Sequence, residues 1–182
     1  MKLRAGTLLL LLLPTTAWTY DLLEDENITD NGQTESVWRE DKVEIPANFN
    51  AQDLQAFSMN HKDNHFSYYI ERASLKTGDD FVTRYVLVIR SSQGTTNSSY
   101  EGMRCGHRQF KVYAYGGAGK LTPLSSSDWQ SVPKGAGADY RTRLYDDLIC
   151  NLQTGLPNPA EEVFNAMGEN HDADTTFLGF GQ

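Results

Sequence analysis

From position 81 to 90 the chain alternates with period two. Phe81, Thr83, Tyr85, Leu87 and Ile89 share one face of an extended backbone, and Val82, Arg84, Val86, Val88 and Arg90 share the other. Alternation rich in β-branched and aromatic residues predicts a strand. The first face is expected to meet the core and the arginine-bearing face to be wetter. Ser91-Ser92-Gln93-Gly94 is a turn signal, and a second strand is expected from about residue 98 to 105. Gly106 marks a bend before apolar alternation resumes over residues 109–115. Upstream, residues 54–59 and 66–75 read as strands joined by the polar His61-Lys62-Asp63-Asn64 loop. Thr77-Gly78-Asp79-Asp80 reads as the turn into the long strand. Consecutive strands joined by short turns predict an antiparallel meander.

The period then changes to that of helices. Asp139 can cap a helix whose Tyr140, Leu144, Tyr145, Leu148, Ile149 and Leu152 share one face, with Arg141, Arg143, Asp146 and Asp147 outward. Gly155 and Pro157 are expected to end it. A second helix is expected from Asn158, with Pro159 in its first turn, Glu161 completing a capping box and Gly168 as terminator. Ala160, Val163, Phe164 and Met167 would be its buried stripe. Strands followed by helices read as α+β: an antiparallel meander with one or two C-terminal helices packed on it.

Composition divides the chain. Residues 1–17 read as a signal peptide: Lys2 and Arg4, a leucine block at 8–13, the helix breaker Pro14, then Thr15-Thr16-Ala17 for a peptidase. The block is shorter than the roughly 20 apolar residues that span a bilayer, so the mature form is expected to have no transmembrane segment. Residues 18–45 are acidic and expected to be largely flexible, with Trp38 pinning them to the domain. Residues 46–170 read as one globular domain and 171–182 as a polar tail. The chain carries 16 basic and 24 acidic residues, a net charge of −8. Losing Lys2 and Arg4 with the leader would make the remainder more acidic still. Such a surface is poorly suited to phosphate backbones, so no nucleic acid partner is expected.

Export decides how the cysteines are read. Cys105 and Cys150 are the only two, and in an oxidising compartment one intramolecular pairing is open to them. A disulfide is expected, stapling the first helix to the sheet. No C-x-x-C spacing supports a thioredoxin-type role.

Trp38, the stretch from Gly78-Asp79 to Arg84-Tyr85, Tyr100-Glu101-Gly102-Met103-Arg104-Cys105 and Lys111-Val112-Tyr113-Ala114-Tyr115-Gly116 together resemble the CNP-one-like (cryptic neisserial protein) family. Trp129 and a late cysteine, here Cys150, fit its pattern. Ser125-Ser126-Ser127 and the segment after Cys150 look less family-like. The resemblance implies an uncharacterised bacterial protein of the envelope, periplasmic or secreted, and supplies no activity.

Candidate chemistry is sparse. Tyr100, Glu101, Arg104 and Arg108 are the candidate ligand-facing polar cluster; the competing reading pairs Glu101 across the sheet with Arg84 or Arg104. His61-x-x-x-His65 has the spacing of two helical metal ligands, but it falls in an inter-strand loop with no third ligand in reach. A solvated polar turn is the reading taken there, and no metal or cofactor is expected. Cys105 and His107 resemble a thiol with its base, but a disulfide would consume the thiol. No catalytic set emerges. The leading expectation is a non-enzymatic binding domain whose partner is a protein or a cell-wall component. One specific form is an inhibitor of basic wall-degrading enzymes. The alternative is a periplasmic enzyme, hydrolytic or metal-dependent. N-terminal sequencing of protein recovered from the exported fraction is expected to begin at Trp18, or at Tyr20 if cleavage follows Thr19; an intact Met1 would refute the leader.

Overall fold

The computed structural model describes residues 38–59, 65–135 and 139–175, with side chains of the last helix described to Gly168. Eight strands form one antiparallel sheet: β1 (Leu54–Phe57), β2 (Phe66–Glu71), β3 (Lys76–Thr77), β4 (Val82–Ser91), β5 (Thr96–Arg104), β6 (Gln109–Gly117), β7 (Lys120–Pro123) and β8 (Gln130–Ser131). The main path is β1-β2-β4-β5-β6-β7, with β3 beside β4 and β8 beside β6. The register pairs Phe57 with Tyr68, Tyr85 with Glu101, Val82 with Arg104 and Ser98 with Gly116. Gly94, at φ 87°, turns the chain between β4 and β5. A 3-10 turn, Cys105–His107, makes the bend expected at Gly106. Phe81 departs from the alternation pattern. It sits at φ 59° in the turn before β4 and is 60% exposed, because the hydrogen bond from its amide to Gly78 O keeps it in the turn and out of the strand.

Helix α1 (Tyr140–Arg143) is capped by Asp139, whose carboxylate accepts from the amides of Arg141 and Thr142. It continues as π-helical turns over Leu144–Ile149 and then opens into β9 (Cys150–Asn151), paired with β10 (Leu156–Pro157). Leu152, expected on the buried stripe, lies beyond the helix and is 58% exposed. The expected apolar face holds, with Leu144, Tyr145, Leu148 and Ile149 buried, but two arginines of α1 reach inward. Arg143, expected outward, is buried, donates to Ser58 O and pairs with Asp147; Arg141 likewise turns toward the sheet. Helix α2 (Ala160–Thr175) runs through Gly168, the expected terminator. A mid-helix glycine costs about 1 kcal/mol, which burial of Val163, Phe164 and Met167 exceeds. Ala160 is exposed rather than part of that stripe. Among the described residues no helix is long and apolar enough to cross a membrane.

The sheet has a buried apolar core on each face. On one, Tyr85, Leu87, Met103, Phe110 and Val112 pack with Leu144, Leu148 and Ile149 of the π turns and Val163 and Met167 of α2. The other face carries Arg84 and was expected to be wetter, yet Val82, Val86 and Val88 are fully buried. Its cover is residues 38–53: Val43, Ile45 and Phe49, with Leu54 at the start of β1, pack on Val86, Val88, Tyr100, Tyr113 and Leu121. This strap joins both sheet edges. Phe49 N donates to Gly119 O and Leu121 N to Ala47 O beside β7, and Asn50 N donates to the Glu71 carboxylate at the end of β2. At roughly 3.5 Å per residue, so short a strap reaches both only if the sheet curls strongly.

Cys105 and Cys150 form a disulfide with a Cα–Cα distance of 5.4 Å. It ties the end of β5 to the point where the helix opens into β9. The bond closes a sequence separation of 45 residues, which stabilises by about 4 kcal/mol in the chain-entropy account. The Cys105→Ala/Cys150→Ala double variant is expected to lose stability of that order in urea unfolding. A loss under about 1 kcal/mol would show that packing alone holds the helix on the sheet.

Candidate functional site

The strap meets the sheet in an ionic network. The Arg84 guanidinium takes both oxygens of Asp80, one at 3.1 Å. Asp80 also accepts from the amides of Asp41 (2.9 Å) and Val82 (3.1 Å), and its own amide donates to Asp41. Glu40 from the strap accepts from Lys111 Nζ at 2.8 Å and Tyr113 Oη at 2.6 Å. Above these, Trp38 Nε1 donates to Asp80 O at 3.0 Å, Trp38 meets Trp129 edge-on at 6.0 Å, and Arg104 lies 3.6 Å over the Trp38 ring. Glycines make the room. A Cβ on Gly78 would lie 2.6 Å from Asp80 Oδ1, and one on Gly102 would lie 2.6 Å from Tyr113 Oη.

These contacts govern protonation. Burial alone would raise Asp80, but the hydrogen bonds from Arg84 and from the Asp41 and Val82 amides outweigh it and hold the carboxyl below its usual range. Burial would lower Arg84; Asp80 reverses this and raises it. Burial and the hydrogen bond to Glu40 push the Tyr113 phenol up, so it remains a donor. Arg84 Nε is left without a partner, as is Ser98 Oγ farther along the same face.

A second cluster lies on the helix-facing side. Glu101, fully buried, accepts from Ser99 Oγ (2.7 Å), Tyr140 Oη (2.9 Å) and Arg141 Nη2 (2.9 Å) at one oxygen, and from Arg141 Nε (3.0 Å) at the other. The Arg141 guanidinium lies over the Phe110 ring at 4.1 Å and over the Tyr140 ring at 4.6 Å. Burial works to lower Arg141, and the Glu101 charge more than compensates. Burial and the same charge raise Tyr85 and Tyr140, so both phenols stay protonated. Tyr85 Oη is nevertheless without an acceptor.

The four candidate cluster residues are therefore separated. Glu101 faces the helices. Tyr100 packs in the strap-side core against Tyr113. Arg104 stacks on Trp38, and Arg108 binds Asp146 at 2.6 Å beside Tyr145. Glu101 pairs with Arg141 rather than with Arg84 or Arg104, because alternation sends Glu101 to the face opposite both. His61 lies outside the described residues; His65 precedes β2, and its carbonyl accepts from Ser92 N. His107 is exposed and Cys105 is oxidised. Glu40 and Asp80 were missed because they read as an acidic leader and a turn, and Arg141 because helical spacing placed it outward. The one available signal was the apolar character of Val82, Val86 and Val88, which already required a cover for the second face.

Trp38, Gly78, Arg84, Gly102, Arg104, Lys111, Tyr113 and Trp129, scattered in sequence, thus meet at one strap–sheet junction. A family model described as the CNP1-like family matches residues 33–168. The chain belongs to the CNP1-like family. The match takes in the strap, the whole sheet and the segment from Cys150 to Gly168, which had looked less family-like. No curated protein and no solved structure matches the chain. Membership assigns this CNP1-like chain no activity.

Asp80 yields a pH prediction. Its folded pKa is depressed, so its contribution to stability is present above the unfolded value of about 3.9 and is lost as pH falls through the folded value. Asp80→Asn is expected to destabilise at neutral pH and to flatten the acid limb of the stability–pH curve. An unchanged acid limb in chemical unfolding from pH 6 to 2 would show that Asp80 does not control it.

Proposed function

We propose that this CNP1-like protein is an exported bacterial envelope protein that acts by binding, through the junction where Trp38, Arg104 and Trp129 meet. The observation that carries the reading is the fate of the reactive groups. Asp80 is taken by Arg84, Glu40 by Lys111 and Tyr113, Glu101 by Arg141, and both thiols by each other. What is left at the partly exposed junction is a cation over one tryptophan ring that a second tryptophan meets edge-on, a chemistry of recognition. The leucine-rich leader supports export, and the disulfide suits an oxidising compartment. The acidic composition suits a protein or cell-wall component better than nucleic acid. A second reading, a periplasmic hydrolase, draws on one observation: the unpartnered Tyr85 hydroxyl in the Glu101 cluster.

In-cell cross-linking of the exported protein is expected to yield one reproducible partner, with capture reduced at least about tenfold by Trp129→Ala, the loss typical of a central aromatic anchor. Capture unaffected by that substitution would move the binding surface elsewhere. The absence of any partner, together with hydrolysis abolished by Tyr85→Phe, would favour the second reading.

A further inference from the structure

Arg104 differs from the other arginines around the two clusters. Arg84, Arg108, Arg141 and Arg143 each hold a carboxylate. Arg104 lies over the Trp38 ring at 3.6 Å, and among the described residues it makes no ion pair or side-chain hydrogen bond. Stacking fixes the guanidinium plane and leaves the N–H edge as a prepared fork. The neighbouring carboxylates do not fill it: Asp80 is bonded by Arg84, and Glu40 by Lys111 and Tyr113. Partial burial works against the Arg104 charge, and Asp80 and Glu40 offset this only in part. An anion would relieve that imbalance.

One position from the register partner of Arg104 stands an exposed aromatic. Phe81 precedes Val82, the register partner of Arg104. It is 60% exposed, and its left-handed φ of 59° is one that L-residues adopt at a cost. Its backbone is fixed on both sides: its amide donates to Gly78 O, and the Val82 amide donates to Asp80 Oδ1. The same turn that builds the Asp80–Arg84 pair thus carries an exposed aromatic residue one position before the register partner of Arg104.

We propose that Arg104 on Trp38, with Phe81 in the turn before β4, is a binding site for a peptide carboxylate flanked by an apolar side chain. The inference rests on the binding reading above and names the chemistry of the ligand. A planar, singly charged carboxylate matches the guanidinium fork in two parallel hydrogen bonds. A phosphate dianion would meet stronger repulsion from Asp80, Glu40 and Asp41. The carboxylate can come from a chain terminus or from an acidic side chain.

Three peptides separate these sources by NMR titration of the 15N-labelled mature protein: N-acetyl-Leu-Phe as the free acid, N-acetyl-Glu-Phe-amide and N-acetyl-Leu-Phe-amide. At least one acid is expected to shift the Trp38 indole N–H and the Arg104 Nε–H saturably, and which one does so identifies the source. The neutral amide and the Arg104→Gln variant are each expected to weaken binding roughly ten- to hundred-fold, the scale of a charge-assisted hydrogen-bond pair. Phe81→Ala is expected to weaken it by about three- to tenfold through lost apolar contact. Arg104→Lys, which keeps the charge but loses the fork, should fall between wild type and Arg104→Gln, and it carries the test if Arg104→Gln does not fold. Equal binding of the neutral amide, unchanged affinity in the folded Arg104 variant, or no response to either acid overturns the proposal. A partner captured in cells with no response to either acid sinks this inference alone; failure of both sinks the binding reading too.

Discussion

The burial of Arg84 in the middle of a sheet face is the constraint on which the rest of this structure depends. A buried guanidinium is tolerated only if its charge and donors are met, since the desolvation penalty otherwise exceeds any packing gain. Asp80 meets it from the β3–β4 turn, and the strap then closes over the pair with Glu40 engaged by Lys111 and Tyr113. Gly78 and Gly102 follow from this, because a side chain at either position would occupy the space of Asp80 or Tyr113. The positive φ of Phe81 belongs to the same turn.

The opposite face solves the same problem differently. Glu101, directly across from Tyr85 in the register, would be an isolated charge in an apolar layer without Arg141. Arg141 is delivered by the first turn of a helix whose far end is clamped by the disulfide. The two ionic clusters sit on opposite sides of adjacent strands. A single strand segment, Tyr100 to Arg104, therefore serves both, sending Glu101 to one side and Gly102 and Arg104 to the other.

Strand positions were legible in the sequence wherever alternation was clean, as in β4, β5 and β6, because period two and short turns leave few alternatives. The disulfide was legible because two cysteines allow one pairing. The helix after Asp139 was legible at its cap and along its apolar face, where Leu144, Tyr145, Leu148 and Ile149 are buried, but not in its length or in where its arginines reach. The chain leaves the helix at Cys150, so Leu152 was assigned to the wrong environment, and Arg141 and Arg143 were assigned outward because only the fold brings an acceptor within reach of each, the Glu101 carboxylate and Ser58 O. The strap was least legible: Glu40 and Asp41 look like solvated acid until Arg84 and Lys111 are placed opposite them.

By itself, then, the sequence determined the antiparallel meander, the helical C-terminal part, the cysteine pair and the residues that mark the CNP1-like family. These depend on local periodicity, turn chemistry and residue identity, which need no partner to be read. Only the tertiary structure decided which charges meet. Arg84 with Asp80, Glu101 with Arg141 and the stacking of Arg104 on Trp38 join residues brought together by strand register and by the strap, and pairings of that kind leave no periodic trace in the chain. The same holds for the second core: its apolar half lies in β4, and its cover lies in a segment whose composition is acidic.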